Sequence, residues 1–201
     1  MQAMPVIALD ADGVLLDYNL AYATAWLRAF GVYPRERDRR AYWALDRWDV
    51  ERLTGDRLAH FRACFDEQFW SAVPAIEGAV EACVRLHAAG YELVCVSALD
   101  DAHAEARRSN LRSLGFPIEH VVTAQHIDGP RSPKADALER LHPIAFVDDY
   151  LPYLRGVPEQ IHTALIDRDS VGSPNTGPEL SAAKSLHANL AQFADWWLSR
   201  T

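Results

Sequence analysis

The chain has 201 residues, of which 49% are apolar and 24% charged, and a formal net charge of −8. That length buries a substantial core in one domain, or in one domain carrying a modest insertion. The acidic balance argues against a generic nucleic-acid-binding surface, and no apolar stretch approaches the roughly 20 residues of a membrane span. The first strand starts too early to leave room for a signal peptide. Cys64, Cys83 and Cys95 lie in apolar surroundings and read as buried thiols of a reduced cytoplasm, not as a disulfide framework or a zinc site.

In chain order, residues 6–10 form a strand that stops at Asp10 and Asp12 and turns at Gly13. Residues 19–30 read as a helix closed by Gly31. Pro34 opens a second, very basic helix to about Trp48. Residues 54–70 form the clearest amphipathic helix, with Leu58, Phe61, Cys64, Phe65 and Phe69 at three- and four-residue spacing. A helix from Pro74 to Gly90 follows, then a buried-type strand over 91–97. A polar helix spans 101–114, a third strand 118–123, and a short helix runs from Pro133 to about Leu141. Strands over 144–149 and 161–167, a loop over 172–178 and a terminal helix over 179–200 complete the chain. That last helix packs Leu186, Leu190, Phe193 and Trp197 inward.

Strand–helix alternation from residue 74 onward implies an α/β fold, a Rossmann-like doubly wound parallel sheet with five main strands. Residues 1–18 and 73–201 make its core, and residues 19–72 read as an all-helical insertion projecting over the strand tips.

In open parallel sheets, ligand sites lie at the carboxyl ends of the strands. Asp10 and Asp12, two residues apart, point to one side, one suited to nucleophilic attack and the other to acid–base work. Ser97 ends the second strand, where its hydroxyl can meet a phosphoryl oxygen. Lys134 starts a helix, where its ammonium and nearby N–H groups can meet an anion. It is one of two lysines among 20 basic residues, so an ammonium is specifically kept there. Asp148 and Asp149 end the fourth strand and can complete an oxygen-rich Mg²⁺ site with Asp10.

With these motifs in this order, the chain resembles the haloacid dehalogenase-like superfamily over nearly its whole length. LDADGVLLD is similar to that family's first motif, VCVSALD to its second, SPKADALERL to its third and FVDD to its fourth, with PAIEGAVEACVRLHAAGYELVCVS similar to the lead-in to the second. The resemblance implies that Asp10 forms an aspartyl-phosphate, that Asp12 acts as general acid and then base, and that Ser97 and Lys134 bind the phosphoryl group. It also implies that Asp149, with Asp10, the Asp12 carbonyl and Asp148, holds Mg²⁺, and that residues 19–72 are the family's helical cap. Tyr150-Leu-Pro-Tyr153 follows the acidic pair where many members carry another Asp or Asn, which leaves the division of labour between Asp148 and Asp149 open.

The expected activity is Mg²⁺-dependent hydrolysis of a small phosphomonoester, a sugar phosphate or nucleoside monophosphate, without nucleic-acid or membrane partners. Dehalogenases of the family lack the second Asp, because a halide leaves without a proton, and phosphonatases need a cap lysine that residues 19–72 do not contain. A mutase or phosphotransferase using the same intermediate, or a catalytically silent binding relative, are the alternatives. The insertion carries nine arginines against eight acids, and one or two are expected to line the cleft and meet a second anionic group. Trp43 or Trp48 could stack on a substrate ring, and His103 and His126 could approach the site.

Overall fold

The computed structural model describes residues 4–125, 129–168 and 170–200. Six strands, β1 (Val6–Leu9), β2 (Glu92–Ser97), β3 (His120–Thr123), β4 (Ala145–Asp148), β5 (His162–Ile166) and β6 (Ser185–His187), form one parallel sheet in the order β3-β2-β1-β4-β5-β6. Ala8 pairs with Val94 on one side and Phe146 on the other, so β1 sits between β2 and β4. This order reverses direction at β1, which makes the carboxyl ends of β1 and β4 the switch point where a doubly wound sheet opens a crevice.

The strands read as apolar runs because both faces are covered. Ile7, Leu9, Leu93 and Cys95 pack on one face, in the same cluster as residues of α1 (Tyr18–Phe30), α5 (Ala79–Ala88), α6 (Ala104–Ser113) and α8 (Leu190–Leu198). Ala8, Val94, Val96 and Phe146 face the other way, against Ala137 and Leu138 of α7 (Ala135–Leu141). The two-residue alternation of side chains along each strand supplies both faces from one segment.

The segment between β1 and α5 is less helical than expected. α1 forms as anticipated: Asp17 caps it by accepting from the Leu20 N–H, and Gly31, at φ 75°, closes it onto the Leu27 carbonyl. The long basic helix opened by Pro34 does not form, and only α2 (Ala44–Arg47) is helical there. Instead the chain doubles back, Glu36 bridging Trp48 while Arg35 and Arg37 both pair with Asp49. Ion pairs across the two arms replace those along a helix. The amphipathic stretch over 54–70 also breaks, into α3 (Gly55–Arg62) and α4 (Glu67–Trp70). Asp66 caps α4 through the Phe69 N–H and accepts both Arg28 guanidinium nitrogens, so a capping acid ends the helix that periodicity alone would continue. The ring cluster of Tyr18, Tyr22, Phe61, Phe65, Phe69 and Trp70 holds these short pieces together.

The C-terminal stretch is the other departure. Residues 179–200 are not one helix but a 3₁₀ turn (Pro178–Ala182), the sixth strand and then α8, started by the Asn189 side chain accepting from Gln192 N–H. Leu186 consequently lies on an edge strand and is 52% exposed, whereas Leu190 and Phe193 are buried as expected. Cys64, Cys83 and Cys95 are all buried thiols.

His162 of β5 and His187 of β6 both bring Nε2 to 2.9 Å from Ser185 Oγ, with their rings against Trp196. Burial lowers the pKa of both below the ordinary 6.5, helped by Lys184 and Arg200 at His162 and by His162 at His187. Well above pH 6.5 both states carry neutral rings. As pH falls through that value the unfolded chain takes up protons first, and stability is lost until the lowered native values are reached. A His162→Gln, His187→Gln double variant should therefore show a flatter fall in thermal midpoint between about pH 7 and about pH 5 than the parent. Superimposable slopes would show that the pair stays uncoupled from folding.

Candidate active site

Three adjacent strands deliver polar residues to one edge: β1 leads into Asp10, β2 ends at Ser97, and β4 ends at Asp148 with Asp149 after it. The Asp10 N–H donates to Val147 O at 2.8 Å, which ties the first carboxylate to the fourth strand. Beyond Asp12 the backbone turns at Gly13, whose φ of 89° a residue with a side chain rarely adopts. A β-carbon there would also lie 2.1 Å from Asp149 Oδ2. Glycine is thus required twice, for the turn and for the approach of the acidic pair.

Lys134, fully buried, bridges the two strands. Its Nζ lies 2.6 Å from Asp10 Oδ1, 2.7 Å from Asp148 Oδ2 and 4.6 Å from the Tyr153 ring centroid. Burial alone would depress its pKa, but Asp10 and Asp148 outweigh that and raise it, so the ammonium stays charged. Asp148 is raised well above the carboxylate range by burial, against the opposing pull of Lys134. Burial also pushes Asp149 up to about 7, against Arg168, whose Nη2 sits 2.7 Å from Asp149 Oδ2.

Asp10, Asp148 and Asp149 bring one carboxylate oxygen each within 4.8 Å of one another. The raised values of Asp148 and Asp149 mark crowded, buried carboxyl groups short of positive charge, and an all-oxygen donor set suits a hard divalent ion such as Mg²⁺. The residues present therefore fit the group. The Asp12 carboxylate is not part of this cluster, so any share it takes in a metal site rests on its backbone carbonyl.

Asp12 faces a different cation. Arg107 of α6, itself fully buried, places Nη2 2.9 Å from both Asp12 carboxylate oxygens. Burial raises the Asp12 pKa, opposed by Arg107 and assisted by Asp10. The acidic pair is held from behind as well: Asn175 Nδ2 and the Tyr42 hydroxyl both donate to Asp149 O, at 2.8 and 3.2 Å, while Asn175 Oδ1 accepts from Leu151 N–H.

A cavity of about 290 Å³ opens over these groups, with Asp10, Asp12, Ser97 and Asp149 on its floor and the rings of Tyr42, Trp43, Tyr150 and Tyr153 around it. A neighbouring hollow of about 170 Å³ shares Asp12, Tyr42, Trp43 and Asp149 and reaches Asp17 and Arg168. All six residues expected from sequence thus converge, four on the cavity wall and two, Lys134 and Asp148, beneath it.

Several expectations need correction. None of the nine arginines of residues 19–72 lines either hollow. Several pair within that segment or at its base: Arg28 with Asp66, Arg47 with Asp17 and Glu36, and Arg57 with Glu51. The backbone N–H groups of Lys134 and Ala135 are taken by the hydroxyl and carbonyl of Ser132, so they are not offered to an anion. Trp43 does line the cavity, but Trp48 is buried with its Nε1 donating to Asn19 O at 2.7 Å. His103 lies against Trp70, 5.9 Å between centroids, and outside the lining. His126 falls outside the described residues.

Three contributors escaped the sequence reading: Arg107, Arg168 and Asn175. Arg168 alone carried a readable signal, since it follows β5, the strand next to the acidic pair. Arg107 sits beside Arg108 in a polar helix, and nothing in the sequence marks which of the two turns inward.

No family model and no curated protein matches the sequence. Solved structures do match in fold. A dehalogenase with an intermediate complex superposes with a TM-score of 0.62 at 18% identity, covering 98% of both chains. A haloacid dehalogenase-like family hydrolase from Streptococcus pneumoniae gives 0.62 at 15% identity, over 98% of this chain and all of that one. A family hydrolase from Deinococcus radiodurans, with bound phosphate and sodium, gives 0.61 at 18% identity over 98% and 96%. The chain has the haloacid dehalogenase-like fold.

Proposed function

We propose that this chain is a Mg²⁺-dependent phosphomonoesterase acting on a small phosphorylated metabolite through an aspartyl-phosphate on Asp10. The observation that carries the reading is the union of Asp10 with Asp148 and Asp149 in one buried carboxylate cluster, while Asp12 stands apart on the cavity wall. Displacing a halide from carbon requires neither a proton for the leaving group nor a divalent cation, so a dehalogenase would leave both features idle. Ester cleavage uses both.

In the first half-reaction an Asp10 carboxylate oxygen attacks phosphorus in line, and the bond from phosphorus to the ester oxygen breaks. Its electron pair stays on the ester oxygen, which takes a proton from the Asp12 carboxyl. A water that has entered then gives a proton to the Asp12 carboxylate as it attacks phosphorus. The bond from phosphorus to Asp10 breaks, returning the carboxylate and releasing inorganic phosphate. Ser97 offers its hydroxyl to a phosphoryl oxygen, and the Lys134 ammonium balances Asp10 and supplies positive charge as the phosphoryl group arrives. Mg²⁺ held by Asp10, Asp148 and Asp149 would offset the repulsion between the carboxylates and the phosphoryl oxygens.

Residues 19–72 serve in this reading as a cap over the strand ends, contributing Tyr42 and Trp43 to the cavity wall. The ring-lined cavity, without a cap arginine, suits a leaving group with a flat or apolar face better than one bearing a second anion. Among the described residues no helix is long and apolar enough to cross a membrane. Three buried thiols agree with a role in a reducing cytoplasm.

Asp10→Asn should lower phosphate release from a panel of phosphomonoesters by roughly 10³-fold or more while the chain still folds, with native circular dichroism and a cooperative thermal transition. Retained Mg²⁺-dependent turnover would refute the nucleophile assignment. Chelation should reduce the parent to the level of Asp10→Asn, and added Mg²⁺ should restore turnover and raise the thermal midpoint by binding the native state. Undiminished turnover after exhaustive chelation would remove the metal from the account.

A further inference from the structure

Arg107 is a fully buried guanidinium whose part in the chemistry the half-reactions above do not define. Its Nη2 chelates both Asp12 oxygens at 2.9 Å, while Nε and Nη1, equally buried, have no hydrogen-bond partner among the described residues. Burying a cation with two donors unsatisfied is costly, and a buried ion pair is weak evidence of a stabilising role. An apolar side chain would fill the same space without that penalty.

The surroundings of Arg107 locate what it holds. Its guanidinium carbon lies 5.1 Å from the Trp70 ring centroid, at the last residue of α4. One turn along α6, Asn110 Nδ2 donates to Ser71 O at 3.0 Å and Val73 O at 3.1 Å. α6 is therefore strapped to the point where the helical segment returns to the core, and Arg107 projects from that strap onto Asp12. Equal distances from one nitrogen to both oxygens fix the carboxylate along a single axis. Asp12 still has 29% of its side chain exposed on the cavity side.

We propose that Arg107 is a positioning residue for proton transfer: it anchors the Asp12 carboxylate from behind so that its exposed face meets the leaving ester oxygen. The inference rests on the phosphomonoesterase reading. It assigns to Arg107 no contact with substrate, since Arg107 is absent from the cavity wall.

A positioning role of this kind has a signature that a general loss of fold lacks. Nitrophenolate departs as a stable anion and depends little on a proton, whereas phenolate is a poorer leaving group and depends on it more. The esters differ by one ring substituent, so p-nitrophenyl phosphate and phenyl phosphate serve as probes, assayed with Mg²⁺. Arg107→Gln should cut kcat/KM on phenyl phosphate about tenfold more than on p-nitrophenyl phosphate, with the loss mainly in kcat. In an Asp12→Asn background the same change should add less than about threefold, because the group it positions is already gone. Arg107→Lys keeps the buried cation; it should fold even where the glutamine variant does not, and show the same bias at smaller size.

Equal losses on the two esters, or a full additional loss in the Asp12→Asn background, would overturn the role of Arg107 and leave the phosphatase reading intact. No Asp10-dependent phosphate release from the parent on either ester or any panel member would overturn that reading and the inference with it. The two failures are therefore distinct.

Discussion

The site depends on one ammonium buried between two strands. Lys134 touches Asp10 at the end of β1 and Asp148 at the end of β4, and it is the cation that lets these carboxylates lie side by side in the core. Without it, two anions with no solvent would repel at a separation where a low dielectric magnifies every charge. Breaking a buried pair by removing one partner commonly costs about 3–5 kcal/mol, because the remaining charge is stranded. The same arrangement keeps Asp10 in place with one oxygen paired, beside a cavity of about 290 Å³.

Each acid of the site has a cation beside it, with Lys134 shared between two. Lys134 serves Asp10 and Asp148, Arg168 serves Asp149, and Arg107 serves Asp12. The cations come from different parts of the chain, the residue just before α7, the loop after β5, and α6. Each anchors one element to the strand edge, and the acids cannot come together unless those elements dock. Gly13 adds a steric condition, since its missing side chain is what allows Asp149 to close against the turn.

How much of this was legible depends on what kind of signal each residue leaves. The strand-end acids and Ser97 were readable because an apolar run ending in a polar residue marks both the strand and its exit. Lys134 was readable because arginine is the chain's default cation. The sixth strand was hidden: Ser185–His187 is three residues long and alternates weakly, so the flanking pattern reads as helix. The helical segment was misread for a related reason. Its arginines suggested a helix face and a substrate contact, yet Arg35 and Arg37 meet Asp49 across a doubled-back chain. Arg107 shows the limit most clearly, since its burial is decided by α6 docking on Trp70 and the 71–73 return, which are long-range contacts with no local trace.

The central claim is that phosphorus passes through a covalent bond to Asp10. The most direct test is an acid quench during turnover of a phosphomonoester, followed by peptide mass spectrometry of the segment that holds Asp10. The account predicts a phosphoryl group on Asp10 that is absent from the Asp10→Asn variant. Phosphate release at full rate with Asp10 unmodified, or with the phosphoryl group on another residue, would contradict it.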